Sequence, residues 1–190
     1  VAGTHGKTST SAILAHLLKE SKVAPTCFVG GLMVNYDSNF VFGENEWVVI
    51  EADEYDRSFL RLFPVVAIIN ALDPDHLDIY GSEKEMVDSY RQFTRQIRKG
   101  GVLVVTEDVL VNMSEEWKVE LRQNKVELVA FGDKGLSSGF DSKARLLSIR
   151  NEGLATVCDL EMGNNEIEIR IPFPGRHNAL NAIGASIVAN

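Results

Sequence analysis

Short apolar runs and helical patterns alternate over the first 130 residues of the chain. Four runs are typical of strands buried on both faces of a sheet, at residues 47–50, 65–69, 102–105 and 126–131. Residues 23–29 are also strand-like. Helical periodicity or capping signals appear between the strands, at residues 7–22, 58–63, 82–98 and 114–123. This order predicts an α/β fold with a mostly parallel sheet flanked by helices.

The pattern changes after Gly132. Three alternating segments, separated by turn residues, predict a small antiparallel β meander at 144–150, 154–161 and 166–172. An alanine-rich helix is predicted to run from there to Asn190. The 190 residues, 45% of them hydrophobic, are expected to form a single domain with the meander as an insertion at about 144–172.

The charge balance narrows the class of partners. With 19 basic and 27 acidic residues the formal net charge is −8, so neither nucleic acid nor a membrane is expected to bind the chain. No apolar run approaches the roughly 18 residues that span a bilayer. Cys27 and Cys158 lie far apart and are expected to be buried free thiols, which suits a cytoplasmic location.

A glycine-rich stretch follows Val1–Ala2, which has the character of a strand end. Its residues are Gly3, Thr4, His5, Gly6, Lys7, Thr8 and Ser9. Backbone N–H groups of such a turn and the positive end of the next helix favour a phosphate group. Lys7 would reach the β- and γ-phosphates of a nucleotide, and the Thr8 hydroxyl would bind Mg²⁺. The longer G-x-x-x-x-G-K-[ST] pattern would need glycine at position 1, so a helix cap with a surface lysine is the alternative.

Acidic residues follow the apolar run at 47–50 directly, in the sequence EADEYD at 51–56. Ligands of open α/β sheets bind at the carboxyl ends of strands, and clustered carboxylates favour a cation. Glu51 directly follows the run and is therefore the predicted Mg²⁺ ligand. The alternative is a solvated acidic loop.

Two histidine-containing stretches complete the candidate chemistry. His76 lies among the acids of residues 73–78, where a neighbouring carboxylate would orient the imidazole towards a metal. A surface histidine is the alternative. The last helix begins with a polar face that suits an adenine, formed by His177, Asn178 and Asn181. Alternatively, Asn178 is only the N-cap of that helix.

Together these stretches resemble the motifs of the Mur ligases, the ATP-dependent ligases that build the peptide of peptidoglycan precursors. The resemblance covers essentially the whole chain. The matching segments are GTHGKT at 3–8, EADEYDRSFL at 51–60, Asn70, DHLDIYG at 75–81 and PGRHN at 174–178 with Asn181. The family's loop is the shorter G-x-x-G-K-T, so Val1 fits it.

The resemblance implies a P-loop fold and a mechanism. ATP would phosphorylate the lactyl carboxylate of the sugar nucleotide, and an amine would attack the acyl phosphate to give an amide, ADP and phosphate. Lys7 would hold the transferred phosphoryl group. Thr8 and Glu51 would bind one Mg²⁺, and His76 with Glu51 a second metal. By the same resemblance the loop would bind ATP, the polar helix face would contact adenine, and the supporting residues would be His5, Asp53 and Asn70.

Within the family, the branch that joins L-alanine to UDP-N-acetylmuramate fits best. Residues 90–93, Tyr-Arg-Gln-Phe, lack the lysine that several sibling ligases carbamylate, which argues against the branches for D-glutamate, a diamino acid or D-alanyl-D-alanine. The murein tripeptide recycling ligase and a folylpolyglutamate synthetase-like ligase are the alternatives. A kinase and a non-catalytic nucleotide-binding module are hypotheses from outside the family.

The family resemblance also implies a domain organisation. Mur ligases have three domains, and residues 1–190 resemble the central ATPase domain. The chain starts with Val rather than Met, and we expect residues 1–190 to include neither the family's N-terminal domain for the UDP-sugar nor its C-terminal domain for the amino acid. We therefore expect this domain to be inactive alone, because domain closure completes the site.

Overall fold

A computed structural model describes residues 1–74, 80–132 and 140–190, without the side chains of residues 142 and 143. The helices in these ranges are α1 (Lys7–Glu20), α2 (Glu83–Thr94), α3 (Glu107–Asn112), α4 (Glu115–Gln123) and α5 (Arg176–Ala189). A 3₁₀ segment covers Tyr55–Arg61 and is interrupted by a kink at Asp56 and Arg57. The strands are β1 (Thr26–Met33), β2 (Ser38–Val41), β3 (Val48–Ile50), β4 (Val66–Ile69), β5 (Val102–Thr106), β6 (Glu127–Gly132), β7 (Ser142–Glu152), β8 (Ala155–Met162) and β9 (Asn165–Ile171).

The strands form two groups, and the strands within each group are joined by hydrogen bonds. The larger has the order β4-β5-β6-β7-β8-β9, in which β4 to β7 are parallel and β8 and β9 antiparallel. The smaller has the order β2-β1-β3, with β1 parallel to β3 and antiparallel to β2. The predicted mostly parallel α/β sheet is therefore confirmed.

Residues Val1 and Ala2 join the two groups. The Val1 amino group donates to the Ile50 carbonyl at 2.8 Å, and the Ala2 N–H donates to the Ile68 carbonyl at 2.8 Å. In return, the Val1 carbonyl accepts from Ala52 and the Ala2 carbonyl accepts from Asn70. These two residues lie where a strand between β3 and β4 would lie, as their apolar character predicted, so the carboxyl ends of β3 and β4 flank the residues that follow Ala2.

The predicted meander is antiparallel but is not a separate sheet. β7, β8 and β9 pair antiparallel, close to the predicted bounds. However, β7 also pairs parallel with β6, so the meander extends the main sheet. Sequence periodicity gives the faces of a strand and not its neighbour, which is why this pairing was not predicted.

The helices cover both faces of the sheet. Ile68 and Val104 belong to the core cluster that includes α1 and α5, whereas Ile69 and Leu103 belong to the cluster that includes α2 and α4. This alternation within single strands explains their almost continuous apolar sequence. None of the described helices is long and apolar enough to cross a membrane.

Local signals fixed some helix ends better than others. Ser82 caps α2 by accepting from the Glu85 N–H at 3.2 Å, as the capping-box pattern predicted. The helix ends at Thr94, four residues before the predicted end at Arg98. Helix α3, which has 6 residues, and strand β2, which has 4, were not predicted.

Candidate functional site

The glycine-rich stretch forms a tight loop between Ala2 and α1. Gly3 has φ 127° and Gly6 has φ 77°, both in the region that favours glycine. A Cβ at Gly3 would lie 2.9 Å from the backbone nitrogens of Asn70 and Ala71. A Cβ at Gly6 would lie 2.3 Å from Oδ1 of Asn181. The loop therefore needs both glycines in order to fit between the end of β4 and helix α5.

Lys7 turns back over this loop. Its Nζ donates to the Gly3 carbonyl at 2.9 Å and to Glu54 Oε1 at 2.7 Å. The Glu54 side chain is only 2% exposed, so the ion pair is largely shielded from water. The structure thus places the predicted phosphate-binding cation at the loop with a carboxylate as its partner.

Thr8 and Glu51, the predicted magnesium ligands, are in direct contact. Thr8 Oγ1 donates to Glu51 Oε1 at 2.8 Å, and the Gly30 N–H donates to Glu51 Oε2. A Cβ at Gly30 would lie 2.9 Å from the Glu51 carboxylate, and one at Gly31 would lie 2.9 Å from Thr8 Cγ2. Two adjacent glycines in β1 therefore leave room for this pair of oxygen donors.

Asn70 anchors the helix that follows the loop. Its Nδ2 donates to Thr10 Oγ1 at 2.8 Å, and its carbonyl accepts from Thr106 Oγ1 at 3.0 Å. Thr106 also caps α3 by accepting from the Val109 N–H. These buried bonds tie α1 to the carboxyl ends of β4 and β5, which fits the supporting role expected of Asn70.

The loop after β4 contacts the glycine-rich loop from the other side. The Asp73 N–H donates to Thr4 Oγ1 at 3.1 Å, and His5 Nε2 lies 3.7 Å from Asp73 Oδ2. Both partners of the latter contact are exposed. His76 lies outside the described residues, and over those residues no group of three or more His, Cys, Asp or Glu side chains could hold a metal.

The predicted adenine face lies at the start of α5. Helix α5 begins at Arg176 with Gly175 as its N-cap, so the alternative that made Asn178 the cap is wrong. Asn178 Nδ2 instead donates to the Pro174 carbonyl at 2.7 Å. His177 is exposed, whereas the buried Asn181 lies against Gly6 of the loop.

Four residues of the site were not singled out from the sequence. Glu54 was one of several acids in its stretch, and only the fold shows that it faces Lys7. Tyr80 donates from its hydroxyl to the Glu54 carbonyl at 2.6 Å, and burial together with the charge of Glu54 raises the pKa of Tyr80 to about 12. Paired glycines inside a strand indicate a close approach. The sequence predicted a strand over 23–29 that ends before Gly30 and Gly31, so only the structure shows that both lie inside β1.

Comparisons with known proteins agree with this geometry. A family model described as the Mur ligase middle domain matches residues 1–189. The UDP-N-acetylmuramate–L-alanine ligase of Porphyromonas gingivalis is 52% identical over 191 residues, covering all of this chain and 40% of that protein. The ligase of the same name from Cytophaga hutchinsonii is 37% identical over 196 residues, covering all of this chain and 39% of that protein.

A solved structure has the same fold. The UDP-N-acetylmuramate-alanine ligase of Thermotoga maritima superposes with a TM-score of 0.76 at 29% identity, covering 98% of this chain and 39% of that chain. This chain thus spans about two fifths of the length of the relatives that it matches.

Proposed function

Since this chain belongs to the Mur ligase family and matches its middle domain, we propose that it is the ATP-binding domain of a UDP-N-acetylmuramate–L-alanine ligase. The family is ATP-dependent. The observation that carries the proposal is the meeting of Lys7, Thr8 and Glu51 at one edge of the sheet. That edge holds the carboxyl ends of the parallel strands, where open α/β sheets bind nucleotides.

The loop and helix α1 would hold the triphosphate. Residues 3–8 and the positive end of α1 offer backbone N–H groups to phosphate oxygens. The Lys7 ammonium lies at the same loop, 2.9 Å from the Gly3 carbonyl, and would neutralise charge on the transferred phosphoryl group. In-line phosphoryl transfer depends mostly on positioning and charge neutralisation, and these residues supply both.

Thr8 and Glu51 fit a magnesium ion. A hydroxyl and a carboxylate 2.8 Å apart are hard oxygen donors, and Mg²⁺ in nucleotide sites binds one or two such side chains together with phosphates and water. The bound ion would neutralise phosphate charge as a Lewis acid. Before it binds, the Gly30 N–H and the Thr8 hydroxyl hold the Glu51 carboxylate in place. A second metal at His76 and Glu51 remains a prediction from the family resemblance.

The adenine would lie near the start of α5. His177 and Asn178 are at the helix end next to the loop, and Asn181 contacts the loop itself at Gly6. We therefore expect His177 and Asn178 to contact the base, and Asn181 to connect base recognition with the phosphates. These roles follow the family motif and the proximity of α5 to the loop.

The full reaction needs more than this domain. We propose that the lactyl carboxylate of UDP-N-acetylmuramate is phosphorylated at this edge, and that the amine of L-alanine then attacks the acyl phosphate. Both substrates would be bound largely by domains outside residues 1–190. In the full-length protein we expect ATP turnover only when both substrates are present, whereas a kinase would release a stable phosphorylated product without the amine.

Nucleotide binding by the chain itself tests the phosphate loop. Calorimetric titration should show Mg²⁺-dependent ATP binding, and Lys7→Ala should weaken it at least about tenfold, because a charge-assisted bond to phosphate is lost. Lys84→Ala, which removes an exposed lysine on α2, is the matched control and should bind like the unchanged chain. Equal affinities of Lys7→Ala and Lys84→Ala would remove the assignment of the loop.

A further inference from the structure

A buried carboxylate holds the phosphate-binding lysine. Glu54 Oε1 lies 2.7 Å from Lys7 Nζ, and the two side chains are 2% and 15% exposed. The ammonium has three N–H donors, and its contacts with Glu54 and the Gly3 carbonyl use two of them. One donor is thus available to a phosphate oxygen while both contacts persist.

The backbone of Glu54 is itself held in place. Its carbonyl accepts from the Tyr80 hydroxyl at 2.6 Å and from the Arg57 N–H at 3.0 Å. Tyr80 is 1% exposed, and the Arg57 guanidinium lies 5.5 Å from the centre of its ring. Asp56 and Arg57 both have positive φ, a conformation that non-glycine residues keep only where surrounding contacts enforce it. The segment therefore fixes where the Glu54 side chain begins.

We propose that Glu54 is a positioning residue, which holds the Lys7 ammonium over the phosphate loop before the nucleotide arrives. The inference rests on the proposed function, since it concerns how the same site orients its cation. Withdrawing the ammonium would remove the cationic partner of a buried carboxylate, which is strongly unfavourable. Lys7 therefore keeps its bond to Glu54 and meets the phosphate with its remaining N–H.

In the alternative arrangement, Glu54 and the phosphate compete for the Lys7 ammonium. If Lys7 had to leave Glu54 in order to bind ATP, removing the carboxylate charge would strengthen nucleotide binding. If Glu54 positions Lys7, the same change weakens binding, because the ammonium loses its fixed orientation and the cost of ordering it falls on the binding step. The two arrangements thus predict opposite signs for one substitution.

Calorimetric titration of the 190-residue chain with Mg·ATP tests the sign. Glu54→Gln should weaken binding about tenfold, as expected for loss of a charge-assisted bond that orients a binding group. The double variant Lys7→Ala/Glu54→Gln should bind as weakly as Lys7→Ala alone, because Glu54 acts through Lys7.

Adenosine, which has no phosphate, serves as a control ligand. Measured by NMR, its affinity should be the same for the unchanged chain and for Glu54→Gln. A general structural defect would weaken the binding of both Mg·ATP and adenosine. Glu166→Gln, an exposed carboxylate on β9, is the control for charge.

The outcomes separate this inference from the proposed function. If Lys7→Ala weakens Mg·ATP binding while Glu54→Gln leaves it unchanged or strengthens it, the positioning role is overturned and the nucleotide site stands. If the unchanged chain and Lys7→Ala bind Mg·ATP alike, the proposed function itself is overturned, and the inference with it. Should Glu54→Gln not fold, Tyr80→Phe decides. It loses only the hydroxyl bond to Glu54 and should weaken binding about threefold, and unchanged affinity would overturn the positioning role.

Discussion

At the scale of single residues, the glycines of the loop between Ala2 and α1 give the sharpest test of the geometry. Gly6 and Gly163 both have positive φ, 77° and 61°, so alanine at either position costs about 1–2 kcal/mol of backbone strain. Only at Gly6 would the new Cβ collide, at 2.3 Å from Asn181 Oδ1, whereas nothing lies within 4 Å at Gly163. Urea denaturation should therefore give Gly6→Ala an unfolding free energy about 1–3 kcal/mol lower than that of Gly163→Ala.

Relief of the collision completes this test. Gly6→Ala combined with Asn181→Ala should recover part of the lost unfolding free energy, because the atom that collides is gone. Nucleotide affinity should fall in Gly6→Ala and stay unchanged in Gly163→Ala, whose turn lies between β8 and β9. Equal stability of the two single variants would mean that α5 does not press on the loop as described.

At the scale of elements, one carboxylate joins two helices on the same face of the sheet. Glu120 on α4 accepts hydrogen bonds at 2.7 to 3.1 Å from Arg91 on α2 and from Arg95, the residue that follows the end of α2. These bonds lower the pKa of Glu120 to about 2, from an ordinary value of 4.5. Because the folded-state pKa lies below the unfolded one, the stabilisation is complete above about pH 4.5 and is lost as the pH falls towards 2.

The Glu120→Gln variant should reveal this dependence. At pH 7 it should lose about 1 kcal/mol of unfolding free energy, a modest value because the arginines are partly exposed. Between pH 4.5 and pH 3 the difference from the unchanged chain should shrink, as measured by urea denaturation across that range. Glu46→Gln, which changes an exposed carboxylate in the loop between β2 and β3, should show no such convergence. A constant difference at all pH values would exclude the ionic contribution.

The sequence predicted the bounds of some strands closely, but it did not predict the end of one helix or the pairing of one strand. The runs at 65–69 and 102–105 correspond to β4 and β5 within one residue, because strands buried on both faces contain few polar residues. The 82–98 helix was overextended since Arg95 and Arg98 continue its polar face beyond the last helical residue. The partner of β7 could not be predicted, because pairing depends on contacts distant in sequence.

At the scale of the whole molecule, the candidate site is a junction between the two groups of strands. Glu51 follows β3 of the smaller group, whereas Lys7 follows residues paired with β4 of the larger one. The sequence predicted that strand ends would bring Lys7, Thr8 and Glu51 together, since parallel strands end at a common edge. It could not assign Glu54 to Lys7, because nothing in the sequence distinguishes Glu54 from Asp53 and Asp56 as a partner for Lys7.

From this junction we predict that ATP protects both groups of strands from amide hydrogen exchange only when magnesium is bound with it. If Glu51 contacts the nucleotide only through the metal, as proposed, saturating Mg·ATP should slow amide hydrogen exchange in β1 and β3 as well as in the loop and β4. At a hundredfold excess over the dissociation constant, ligand binding adds about 2.7 kcal/mol to the unfolding free energy. ATP with a chelator should protect the loop but leave β1 and β3 close to their ligand-free rates. Glu51→Gln with Mg·ATP should reproduce that chelated pattern, whereas strong protection of β1 and β3 in this variant would show that Glu51 is not the link between metal and sheet.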